Sequence, residues 1–264
     1  MTRVVEFFLG THQPGWLTDA GVPLFVSDRR LRSYRRLPVA AGPWALDSGG
    51  FSELLLHGTW DHGPTPVEYA ERVRRYQAEV GSLVWAAPQD WMCEPVMLAR
   101  TGLSVAEHQA RTVANFVQLR GLAPDLPFIP VVQGWTPEDY LACVDTYRRA
   151  GVDLTTAPLV GVGSVCRRQG SAAAEAILTV LHRAGVQRLH GFGVKATGLA
   201  RYGHLLTSAD SLAWSYAARR SAALAGCASH ANCANCRIYA HAWRRQVTAL
   251  LTGPRQLALP LDER

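Results

Sequence analysis

Lysine is almost missing from this sequence. Of 27 cationic side chains only Lys195 is a lysine, and with 21 acidic residues the net charge is +6. Long apolar runs are missing as well. No stretch approaches the roughly 18–20 residues of a membrane span. The apolar core of MTRVVEFFLGTH is too short for a secretory leader and reads as a first strand, so a cytoplasmic location is expected. No GxxxxGK[ST] loop occurs, and GVGSVC (161–166) falls short of the dinucleotide fingerprint, so no nicotinamide cofactor is expected. Internal repeats and low-complexity tracts are also lacking. What is present, 264 residues of which 48% are hydrophobic and 18% charged, suits one globular domain, with or without a small appendage.

The positive charge therefore rests on arginine. Its planar fork suits bidentate phosphate contacts, which makes nucleic acid a candidate partner. Coding bias is the competing source, because Ala, Gly and Pro are abundant too. The run RRLRSYRR (29–36) sets five arginines within eight residues, among them Arg29, Arg30 and Arg32. It reads either as a solvated face or as a surface that tracks phosphates.

Short apolar runs alternate with helical patterns. Strands are expected at Val4–Gly10, Pro23–Ser27, Trp44–Ser48, Leu83–Asp90, Phe128–Gly134, Leu159–Val165, Arg188–Val194 and Leu206–Asp210. Helices open on capping boxes at Thr65/Glu68, Ser104/Glu107 and Thr136/Asp139. Eight strands with helices between them predict an α/β fold, a (β/α)8 TIM barrel, with an open doubly wound sheet as the alternative. The barrel is favoured by the strand ends, which read GTHQ, DSGGF, PQDW, VQGW, GVGSV, HGFGVK and SADS. Barrel chemistry sits on that rim. The pattern changes near residue 225. The expected organisation is a barrel over 1–225, a zinc-binding subdomain over 226–250 and a tail over 251–264.

Three of these strands end in an aspartate: Asp47, Asp90 and Asp210. A single strand-end aspartate reads most simply as a cap. Three on one barrel rim, with Gln133 beside them, point to carboxylate chemistry, in which one group attacks and another moves a proton. Gly134, Gly161, Gly163 and Gly191 let backbone approach a flat ligand. Lys195 follows a glycine-rich strand end and reads as a phosphate contact or an ordinary surface lysine.

The cysteines cluster at CASHANCANCRIYAH. Cys227-x5-Cys233-x2-Cys236-x4-His241 offers three sulfurs and an imidazole, a donor set for a closed structural zinc site. His230 competes with His241 for the fourth place. Cys93, Cys143 and Cys166 are scattered and read as small packed thiols.

In this order, DSGGF, VQG, GVGSV, HGFG, SADS and a Cys-rich loop resemble the tRNA-guanine transglycosylases over roughly residues 40–245. Those enzymes are (β/α)8 barrels with a C-terminal zinc subdomain, and they exchange guanine in nucleic acid for a 7-deazaguanine. The resemblance implies Asp210 as nucleophile at the sugar C1′ and Asp47 as general acid/base. It implies Phe51 and His190 as the two faces of a base sandwich and Asp90 as acceptor for the amidine edge. Gln133, Gly134, Gly161 and Gly163 would meet the carbonyl edge, with Gly191 beside them. A zinc ion is implied and no redox cofactor is.

The short chain, the opening FFLGTHQPGWL and the altered cysteine spacing look like the branch that modifies DNA, the deazapurine-in-DNA transglycosylases (DpdA) of phages and bacterial modification clusters. The tail segment QLALPL (256–261) resembles the hexapeptide by which DNA-processing proteins bind the bacterial sliding clamp. The expected function is a DNA-guanine transglycosylase that inserts 7-cyano-7-deazaguanine or a relative. The alternatives are a short tRNA-guanine transglycosylase and a non-catalytic, zinc-containing barrel that binds nucleic acid.

Overall fold

The computed structural model describes residues 5–252. The clamp-like segment 256–261 lies outside the described residues. Eight strands form one sheet in which every pairing is parallel: β1 (Glu6–Thr11), β2 (Leu24–Ser27), β3 (Trp44–Asp47), β4 (Leu83–Ala86), β5 (Val131–Val132), β6 (Val160–Val162), β7 (Leu189–Gly191) and β8 (Ser208–Ser211). Their order, β4-β3-β2-β1-β8-β7-β6-β5, follows the chain around a ring. β4 and β5 meet at a parallel bridge between Ala86 and Phe128, where Ala86 N–H donates to Pro127 O at 2.9 Å and Ile129 N–H to Ala86 O at 3.1 Å. This joins the two edges and favours the barrel over an open sheet. All eight expected strands are present, several of them shorter than the sequence suggests.

The helices are α1 (Asp28–Leu31), α2 (Gly50–His57), α3 (Pro66–Glu79), α4 (Pro95–Thr101), α5 (Val105–Leu122), α6 (Pro137–Arg149), α7 (Ala172–Arg183), α8 (Ala196–Tyr202), α9 (Ala213–Ala218) and α10 (Arg237–Thr252). Side chains alternate along each strand. Phe7, Leu9, Leu46 and Val162 face outward into the main core between sheet and helices, while Phe8, Ala45 and Trp85 build a smaller cluster inside the ring. Asp47 is two residues beyond Ala45, so it shares the inward face. Helix α10 contributes Ala240 and Val247 to the main core and reaches β1 through Arg244, which donates to Phe7 O at 3.1 Å.

Helix starts follow the expected chemistry. Thr65, Ser104 and Thr136 each accept from the backbone N–H three residues on, and the Glu68, Glu107 and Asp139 carboxylates accept from the caps in return. Each box satisfies donors that the first turn would otherwise leave free. Ser104→Ala removes one such box, at a residue that is not among those lining the strand-end cavity. It should cost about 1 kcal/mol, as cap deletions do, read as a lower urea midpoint with an unchanged m-value.

Candidate active site

The strand ends open into a cavity of about 580 Å3 whose wall includes Asp47, Asp90 and Asp210. Three carboxylates far apart in sequence thus share one space. Phe51, from the first turn of α2, and Phe192, just past β7, add aromatic surface to the same wall. Gly49 supports the Asp47 end. It caps α2 in a left-handed conformation, φ 84°, and the Asp47 carboxylate accepts from its backbone N–H. A residue with a Cβ would be strained there.

Each aspartate has its own environment. Burial pushes the Asp47 carboxyl above its ordinary value, against the hydrogen bonds from Gly49 and from the Ser27 hydroxyl, and the Asp210 charge adds to the rise. Asp90 is pushed up to about 7, chiefly by burial and then by the charge of Asp47. Gln133 opposes that shift by donating Nε2–H to Asp90 Oδ2 at 2.6 Å. Asp210 is held by Gly193 N–H at 3.0 Å and by His190 Nε2 at 3.2 Å. An ionised Asp210 can only accept, so Nε2 carries the hydrogen, and Nδ1 then accepts from the Ser208 hydroxyl at 2.8 Å.

A further chain of hydrogen bonds fixes Gln133. Its Oε1 lies 2.7 Å from Ser164 Oγ, and a carbonyl only accepts, so the Ser164 hydroxyl donates to it. Ser164 Oγ itself accepts from Cys93 N–H at 2.7 Å. The same hydroxyl faces the buried Glu94 Oε2 at 3.1 Å, the longer of its two contacts. Burial pushes the Glu94 carboxyl up, against the hydrogen bond from Ser164. The order is Glu94 to Ser164 to Gln133 to Asp90. Ser164 takes a left-handed backbone, φ 56°, an uncommon conformation for a side-chain-bearing residue.

Several expected residues sit elsewhere. His190, expected to stack on a base, is fully buried and does not line the cavity. Its ring packs edge-on against Trp85 and Phe192, with centroids 4.5 and 4.8 Å away, and its nitrogens hold Asp210 and Ser208. The aromatic that this strand end offers to the cavity is Phe192. Gly163 lines the cavity, and a Cβ there would lie 2.2 Å from Gln133 Nε2, so its bareness makes room for the glutamine. Gly134, Gly161 and Gly191 are second-row positions beneath Tyr140, Phe192 and Val194. Arg29, Arg30 and Arg32 reach the cavity wall, but Arg29 is paired with the buried Glu53. Lys195 is exposed on a neighbouring groove.

The cysteine loop gathers Cys227, His230, Cys233 and Cys236, whose ligand atoms all lie within 4.8 Å of one another. His241, the expected fourth ligand, is not in this group. Five residues after Cys236 it has turned away along α10, where its Nε2 is buried without a hydrogen-bond partner. The set fits a small tetrahedral ion. Cys227 and Cys236 sulfurs stand 3.8 Å apart, and His230 Nε2 lies 3.4 Å from Cys233 Sγ. Ligands at about 2.0–2.3 Å from a shared centre have edges of about 3.5–3.8 Å. The cluster could hold a metal ion.

Sequence reasoning passed over His12, Glu94 and Ser164, although GTHQ and GVGSV were singled out as rim motifs. All three line the cavity. Glu94 had no visible pattern, because its role depends on Ser164, 70 residues away in the chain.

No curated protein matches the chain. A family model does, across residues 4–256: DpdA, deoxypurine in DNA protein A. That family modifies DNA by transglycosylase chemistry, for which a barrel rim with three converging carboxylates is a suitable site. The chain belongs to the DpdA family.

Proposed function

We propose that this protein exchanges guanine in DNA for a 7-deazaguanine, 7-cyano-7-deazaguanine or a relative, through a covalent aspartyl intermediate. The observation that carries the reading is the convergence of Asp47, Asp90 and Asp210 on one cavity in a chain of this family. The target nucleotide must leave the base stack to reach a carboxylate at the end of a cavity. The Asp210 carboxylate, aimed by His190 and Gly193, attacks C1′. The C1′–N9 bond breaks and its electron pair leaves with guanine. Asp47, which burial favours in its protonated form, supplies the proton that guanine takes up. The incoming base loses its N9 proton to Asp47, N9 attacks C1′, and Asp210 departs unchanged.

Asp90 would read the purine edge by accepting N–H bonds, and Gln133, expected to meet the carbonyl edge but fully buried behind the cavity wall, would aim Asp90. Phe51 and Phe192 would flank the flat base, with Phe192 in the place first assigned to His190. Arg30 and Arg32 would contact phosphates. Cys227, His230, Cys233 and Cys236 would hold a zinc ion. Four protein ligands leave no open position, so the ion would be structural.

Incorporation of labelled guanine into duplex DNA, single-stranded DNA and tRNA tests the reading. Asp210→Asn should lower exchange by at least about a thousandfold, as loss of a covalent nucleophile does. Asp47→Asn should lower it by about 10²–10⁴-fold, the usual range for general acid/base catalysis. Exchange on tRNA alone would overturn the DNA substrate, and full activity in Asp210→Asn would overturn the mechanism.

Asp90 gives a pH signature. Its folded value of about 7 exceeds the ordinary 3.8, so the native state binds the proton more tightly than the unfolded chain. Stability from this group is therefore greatest in acid and is lost as pH rises between those values. Asp90→Asn should raise the melting temperature at neutral to alkaline pH, with the gap closing in acid. Base affinity should run the other way in the wild type, weakening as pH falls through about 7, because protonation turns one of the two accepting oxygens into a donor.

The Glu94 chain makes a separate prediction. Glu94→Gln keeps an acceptor for Ser164 and should leave the KM for the base within about twofold. Glu94→Ala leaves Gln133 less well aimed and should raise that KM about fivefold, the equivalent of one hydrogen bond. Equal effects of both variants in steady-state kinetics would count against a positioning role for the Glu94–Ser164 hydrogen bond.

A further inference from the structure

A second cavity, of about 1140 Å3, opens beside the first. Asp210, His12 and Phe51 line both, so the two spaces are continuous at the nucleophile. The outer space differs in character. Arg167, Lys195 and Arg219 project from its walls, all exposed, and Asp210 is its single carboxylate. Tyr216 stands at the same edge, 57% exposed. The Arg220 guanidinium lies 3.9 Å over its ring and fixes the ring's tilt.

Several arginines elsewhere on the surface are neutralised by a carboxylate. Arg74 pairs with Asp125, Arg75 with Glu79, Arg148 with Asp145 and Arg201 with Glu175. Among the described residues no carboxylate lies within ion-pair distance of Arg167, Lys195 or Arg219. Arg30, across the mouth, is also without one. Arg30 and Arg219 both bear on His12, whose imidazole is pushed below its ordinary value by burial and then by these two charges. Positive charge therefore stands on both sides of the opening with no carboxylate in ion-pair contact, Arg167 resting 5.3 Å over the Phe51 ring.

We propose that this outer groove holds the backbone of the target DNA strand in single-stranded form, beside the extruded nucleotide. Arg167, Lys195 and Arg219 contact successive phosphates, and the free face of Tyr216 stacks on a neighbouring base. The inference rests on the reading of the inner cavity as the base-exchange site and adds the path of the strand that feeds it. A single strand is favoured over a duplex by the tyrosine. A side chain stacks on a base only where the base has no paired neighbour above it, and an aromatic platform within a cationic groove is the common design of single-strand binders. Each phosphate that a cation neutralises releases counterions, so affinity must fall with salt.

The test uses the full chain and a fluorescently labelled single-stranded oligonucleotide with one guanine, followed by anisotropy across a salt series. The double variant Lys195→Ala/Arg219→Ala should flatten the slope of log affinity against log salt by about 1.4, two contacts at about 0.7 each. Tyr216→Ala should weaken binding about tenfold with the slope unchanged, in line with the loss of one stacked base. Calorimetric binding of free guanine should be the same in these variants as in the wild type. Wild-type affinity and slope in the double variant, or tighter binding of the matching duplex with no dependence on Tyr216, would overturn the groove. Absence of base exchange in a wild type whose oligonucleotide binding depends on these residues would overturn the exchange reading and leave the groove standing.

Discussion

Three carboxylates in one cavity repel one another and lose part of their solvation, and the rim is arranged around that constraint. Each aspartate leans on a donor from the adjoining strand end. Ser27 at the end of β2 serves Asp47 on β3, Gln133 after β5 serves Asp90 after β4, and His190 on β7 serves Asp210 on β8. Parallel pairing makes this possible, because it brings every strand end to the same rim; Ser27 and Asp47 are direct register partners. The Asp90–Gln133 pair has an added duty. Between β4 and β5 the described backbone pairing narrows to the Ala86–Phe128 bridge, and this side-chain hydrogen bond spans the same seam one layer higher. Charge that would open the barrel is thereby used to hold it shut.

The metal-ligand loop connects to this rim through α9. Ser215 on that helix donates to Ala234 O at 2.7 Å, and Ala218 packs with Cys233 and Cys236. The same helix begins two residues after Ser211, the last residue of β8, and carries Tyr216 toward the outer groove. At six residues, α9 is too short to be stable alone. Its position is set by the cysteine loop on one side and by Trp214 on the other, whose indole N–H donates to Gly10 O at 2.8 Å. An ion bound 17 or more residues from Asp210 in the chain would thus act on the groove by fixing one helix, with no part in the bond changes.

Much of this was legible in the sequence, and the reasons are local. Capping boxes need only four consecutive residues, so Thr65, Ser104 and Thr136 could be read directly. Strand-end aspartates follow from the alternation of apolar runs with turn residues. What could not be read was direction. His190 and Phe192 are separated by one residue and both lie on the inward face. Which of them meets solvent depends on Trp85 and Phe25, which crowd His190 from other strands. The fourth metal ligand was ambiguous for a similar reason. Spacing alone admits both His230 and His241, and the choice turns on where α10 starts. Glu94 was invisible because its partner Ser164, which also holds Gln133, lies 70 residues away in the chain.

The protonation pattern bears on how a polyanion could be brought to an acidic site at all. A phosphodiester near three full negative charges would be repelled, and the unpaired cations of the mouth would be partly cancelled from within. Burial raises the Asp47, Asp90 and Glu94 carboxyls, and Asp90, pushed up to about 7, is in part a neutral acid near neutral pH. The same upward shift that would suit Asp47 to the proposed proton transfer would also lower the field facing an incoming strand. Ionisation of Asp90 then becomes favourable when a base offers it N–H donors, which restores inside the cavity the hydrogen bonds that water had supplied. A basic rim and an interior of raised carboxyls are consistent parts of one electrostatic arrangement, and on the proposed strand path a carboxylate beside Arg30 or Arg219 would repel the phosphates those cations would contact.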